Sequence, residues 1–97
     1  MIFAIATHSF LLTVDFDPDW KTQGVNILGR GHHYGITRVD RSHILSIRRK
    51  ENKKESPQLL MYNIQQPGDC RDVTPNFEQF GDIHQIVQAN GGLYFAN

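Results

Sequence analysis

Nowhere along the chain do apolar residues recur over a long segment at the three- and four-residue spacing of an amphipathic helix. That absence constrains the fold more than any other feature. Short runs rich in β-branched and aromatic residues take the place of helices, separated by clusters of Gly, Pro, Asn and Asp. Strands are expected near Ile2–Thr7, Phe10–Phe16, Val25–Leu28, Tyr34–Val39, His43–Arg49, Gln58–Ile64, Arg71–Thr74, Ile83–Gln88 and Leu93–Ala96. Turns are expected at Asp17-Pro18-Asp19, Gly29-Arg30-Gly31, Pro67-Gly68-Asp69, Thr74-Pro75-Asn76 and Asn90-Gly91-Gly92. The expected class is all-β with antiparallel four-stranded units.

Composition narrows the function classes. At 97 residues the chain makes one small domain. Ten basic residues balance ten acidic ones, which argues against a broad electrostatic footprint for nucleic acid or an anionic membrane. Zero net charge also leaves association unopposed. The single cysteine, Cys70, excludes an internal disulfide. No stretch approaches the roughly 20 apolar residues of a membrane span, and the apolar start is short, lacks a basic leader and is interrupted by His8. These features point to the cytoplasm.

The strands repeat. Phe10–Phe16 lies over Gln58–Ile64, Val25 over Val73, and Tyr34–Asp40 over His84–Asn90. The turns Asp40-Arg41-Ser42 and Asn90-Gly91-Gly92 then each lead into an apolar strand, His43–Ser46 or Leu93–Ala96. A period of about 50 residues with four strands per unit is the pattern of radial β arrays. The chain divides into units of about 1–40 and 41–90 plus a final strand at 92–97.

The sequence of an apolar strand, an Asn-Gly-Gly turn, Leu93-Tyr94-Phe95-Ala96-Asn97, and strands ending in Tyr-Asn or Val-Asp resembles β-propeller blades of the six-bladed, NHL-like or gluconolactonase-like kind. The resemblance implies that Tyr34–Val39 and Ile83–Gln88 are inner strands lining a channel. Ile2–Thr7, His43–Arg49 and Leu93–Ala96 are then second strands, Phe10–Phe16 and Gln58–Ile64 third, and Val25–Leu28 and Arg71–Thr74 outermost. A ring needs at least about four blades. The chain holds two blade-equivalents in permuted order, so it is either part of a longer protein or completed by further copies. A homo-oligomer is expected, with Leu11, Ile36, Leu60 and Ile86 at its contacts.

Candidate ligand-binding residues are His33 and Tyr34, which follow Gly29-Arg30-Gly31-His32, and Asp82 and His84 at the matching place in the second unit. Imidazoles after a glycine-rich turn can face a metal or an anion. In the resembling lactonase-like propellers a divalent metal sits in the channel, held from such strand starts. His33 and His84 are therefore the metal candidates, although the set lacks the carboxylates that calcium favours. Each histidine taken alone reads rather as a strand-end residue bonding backbone, and only the pair His33 and His84 reads equally as channel-facing ligand contacts. Asp15, Asp17 and Asp19 mimic a calcium loop but lack its glycine and closing glutamate, which leaves an Asp-Pro turn with Trp20 folded back as an apolar plug. Arg48–Glu55 reads as a solvated hairpin loop. Two functions fit: a binding or interaction module for a small molecule, glycan or protein, or part of a metal-assisted hydrolase or lyase.

Overall fold

The structure, a computed structural model, describes residues 1–51, 56–76 and 85–96. Among these there is no helix. The strands are β1 (Ile2–Ala6), β2 (Phe10–Phe16), β3 (Thr22–Arg30), β4 (His32–Arg38), β5 (His43–Arg49), β6 (Gln58–Asn63), β7 (Cys70–Asp72), β8 (Gln85–Ala89) and β9 (Gly92–Ala96). They form three antiparallel sheets, β1-β2-β3, β4-β5-β6-β7 and β8-β9, and none closes on itself.

Local chemistry makes the turns. Between β1 and β2 the Thr7 hydroxyl accepts from the Ser9 and Phe10 amides at 3.2 and 2.8 Å, a side-chain turn that reverses the chain over His8 and Ser9. After β2 the Asp17 carboxylate accepts from the Asp19 and Lys21 amides, both at 2.9 Å, as an Asp-Pro turn requires. The expected turn at Gly29-Arg30-Gly31 is different. Gly29 and Arg30 still belong to β3, and only Gly31, at φ +102°, separates it from β4. The Gly31 amide donates to the Ser9 carbonyl and the His33 amide to the Thr7 carbonyl. The chain therefore bends at Gly31 against the tip of the β1–β2 hairpin as it leaves the first sheet for the middle one.

The middle sheet is covered on both faces. Leu45, Ile47 and Leu59 meet Ile86 of β8 on one side. Ile44, Leu60 and Tyr62 meet Leu11 and Leu28 of the first sheet on the other. This explains why β5 and β6 read as nearly continuous apolar runs rather than as alternating ones. Gly35, at φ +66°, is the extra residue of a bulge between Tyr34 and Ile36. A side chain there would find ordinary contact with Ile47 and Ile86, so it is the left-handed backbone that favours glycine. The Gln88 amide, donating to the Thr37 hydroxyl at 2.7 Å, ties the last sheet to β4.

Several sequence expectations change. Leu11, Leu60 and Ile86 are not contacts for further copies but are buried within this chain, and Ile36 packs against the cluster that holds Leu11 and Leu60. Trp20 is no plug: it lies against Phe3 and Phe16 at 5.9 and 6.0 Å yet remains 61% exposed. Arg48 and Arg49 end β5, as the strand expected over His43–Arg49 has them, so the charged run begins inside the strand, while its residues 52–55 lie outside the described residues; Arg48 donates from Nε and Nη2 to the Gln58 side chain at 3.2 and 2.6 Å.

Candidate functional site

Of the four residues expected to bind a ligand, Asp82 and His84 lie outside the described residues. His33 and Tyr34 are neighbours on β4 and point to opposite faces of the strand, so the fold does not bring them together. His33 is 2% exposed. Its Nδ1–H donates to the Gly31 carbonyl at 2.9 Å, which leaves Nε2 to accept from the Tyr62 hydroxyl at 2.6 Å. Burial holds its pKa below the ordinary imidazole value, with the Arg48 charge acting in the same direction. With both ring nitrogens engaged, His33 has no lone pair to offer a metal in this arrangement. Among the described residues no group of three or more His, Cys, Asp or Glu is placed to hold a metal ion.

Tyr62 is the residue that sequence reading missed. Its ring is 2% exposed, burial pushes its phenol pKa far above the usual range, and its hydroxyl also meets the Cys70 thiol. Burial raises the Cys70 pKa too, so the thiol stays protonated near neutrality and is no activated nucleophile. The chain of contacts from Cys70 through Tyr62 and His33 to Gly31 joins the outermost strand of the middle sheet to the crossover. Tyr34 lies under the Arg49 guanidinium at 5.5 Å and beside the His32 ring, which in turn meets His8 at 4.5 Å. Desolvation, His8 and Arg49 together lower the His32 pKa.

The largest unsatisfied feature is apolar. In β1, Ala4 and Ala6 face the core, so Phe3 and Ile5 face away from it. Leu12 and Val14 alternate with the buried Leu11 and Thr13 in the same way. Val14 stands opposite Phe3 and Val25, and Leu12 opposite Ile5 and Ile27. The outer face of the first sheet is therefore apolar across all three strands and is capped at one end by Phe16 and Trp20. Phe3, Ile5, Val25 and Ile27 are 39–57% exposed. The last sheet has a smaller counterpart, with Val87 and Tyr94 directly opposite each other and 53% and 58% exposed.

The first sheet also has an open edge at β1. Between β1 and β4 lies a cleft of about 170 Å³ lined chiefly by Ile2, Ala4, Thr13, Ile36, Ile44 and Ile64. An edge strand beside an apolar cleft is a template for a further strand.

Fold and surface together define a layered, antiparallel all-β protein whose end layers, among the described residues, are covered on one face only. No family model, curated protein or solved structure matches the chain.

Proposed function

We propose that the chain is a β-propeller-like interaction module whose outer sheets are completed by a second copy. The observation that carries this reading is the uncovered apolar face of the first sheet. The middle sheet supports it by example, since the same kind of face is buried there on both sides. Strand order agrees with blade order: β4 to β7 run in sequence across one sheet, β1-β2-β3 match the outer three positions, and β8-β9 match the inner two. Stacking the last sheet of one copy on the first sheet of the next repeats the contact already made inside each chain. Such a head-to-tail contact is heterologous and closes into a ring when the rotation permits.

Covering four or five half-exposed apolar side chains contributes on the order of 5 kcal/mol. Association itself costs about that much or more, so the assembly is expected to depend on concentration. Sedimentation equilibrium across micromolar concentrations tests this. Wild type should show reversible association, and Phe3→Glu should shift the population toward monomer while still melting cooperatively. A wild-type chain that stays a well-folded monomer throughout would overturn the proposal.

A further inference from the structure

At the end of the molecule where the chain crosses between sheets, four cationic residues converge on one open cleft of about 580 Å³. Arg30 comes from the end of β3, Arg48 and Arg49 from the end of β5, and Lys50 directly follows. Among the described residues Glu51 is the one carboxylate in the lining. The three guanidiniums alone outnumber it, in a chain whose net charge is zero.

The three guanidiniums are held in place without being neutralised. Arg30 sits over the Phe10 ring at 5.7 Å and Arg49 over Tyr34 at 5.5 Å. Arg48 is held by the neutral Gln58 amide, whose own nitrogen donates to Asp72 at 3.0 Å. The ion pairs among the described residues are Met1 with Asp15 and His43 with Asp40, and neither involves these arginines. Stacking on an aromatic face leaves guanidinium N–H groups for hydrogen bonds to an oxyanion, although Arg49 also bonds the Tyr34 hydroxyl. Side chains oriented in advance also lose less entropy on binding.

We propose that this cleft binds small organic phosphates of about mononucleotide size. Several converging guanidiniums favour a multiply charged phosphate over a single carboxylate. The volume exceeds what a bare ion needs and falls within the roughly 300–1,000 Å³ of small-molecule sites. A polymer fits less well, because among the described residues the clustered charge lines this one cleft.

Isothermal titration of the full chain at low ionic strength with ADP, ribose 5-phosphate and inorganic phosphate tests the inference. ADP should bind saturably at one site, more tightly than inorganic phosphate, and weaken as salt is added. Arg30→Gln and Arg49→Gln should each weaken it about tenfold, while Lys21→Gln, in the distant β2–β3 turn, should leave it unchanged. Ligand-induced NMR shifts in the wild type, which need no variant to fold, should cluster at the ends of β3 and β5. Absence of saturable binding, equal affinity for ADP and inorganic phosphate, or an equal loss in Lys21→Gln would overturn the proposal. Repeating the titration on Phe3→Glu separates binding from self-association.

Discussion

A Cβ added at Gly29 would lie 2.6 Å from the Tyr62 hydroxyl and 3.0 Å from its ring. Gly29 is therefore required for close approach rather than for a turn: β3 comes so near the middle sheet that only a hydrogen fits. The ring cannot swing aside without giving up its bond to His33. Gly29→Ala should thus cost about 1–3 kcal/mol, read as a lowered midpoint in urea, and a midpoint equal to wild type would show that Tyr62 is free to move. His33 supplies a second test. Its folded pKa lies below its unfolded value of 6.5, so the unfolded chain binds the proton more readily. The stability that neutral His33 contributes is present above that value and is lost as pH falls below it. Melting temperature should decline as pH is lowered from about 7 to 5, and the His33 ring signal should not titrate with the exposed imidazoles. A His33 signal titrating as a free imidazole would overturn the buried arrangement. The carboxylates of Asp40 and Asp72, held below 3.8 by bonds from Ser42 and Thr74, act in the same sense only at more acid pH.

At the scale of elements, β8 separates burial from strand propensity. Ile86 and Val87 are adjacent β-branched residues, yet Ile86 is 1% exposed against the middle sheet and Val87 is 53% exposed on the outer face. Ile86→Asp should unfold the chain or cost several kcal/mol, because it buries a carboxylate without a partner. Val87→Asp should melt as wild type does, and equal effects of the two changes would mean that β8 is not docked in this register. The hairpin between β5 and β6 shows how local charge misleads. Arg48 and Arg49 begin a run that looks solvated, but both lie in the strand, where Arg48 is opposite Gln58 and Arg49 covers Tyr34. Lys and Arg carry long apolar stems, so charge alone does not place them in a loop.

At the scale of the whole molecule, three layers give, among the described residues, one buried sheet and two half-buried ones, and the proposed self-association rests on that count. Trp20 reports on it directly, since it lies on the outer face of the first sheet. Its fluorescence should move to shorter wavelength as concentration rises through the association range. Emission independent of concentration in a chain that nevertheless associates would place the contact on another face.

All nine strands are legible in the sequence to within a few residues, apart from the start of the eighth, expected from Ile83, where 83 and 84 lie outside the described residues. Side-chain alternation, β-branched runs and turn residues act over two to seven neighbours, and so they appear in any short window. The antiparallel all-β class follows from them. The candidate site was far less legible. The burial of His33 depends on Tyr62, 29 residues away, and on the missing side chain of Gly29. The basic cleft joins the end of β3 to the end of β5, two positions that meet only because the chain crosses the hairpin tip and pairs β4 with β5. Which apolar residues face water was equally out of reach. Phe3 and Leu11 are both apolar strand residues, and a strand shows only that its two faces differ. The stacking of one sheet on another buried Leu11 and left Phe3 exposed, because among the described residues the first sheet has a neighbour on one side alone.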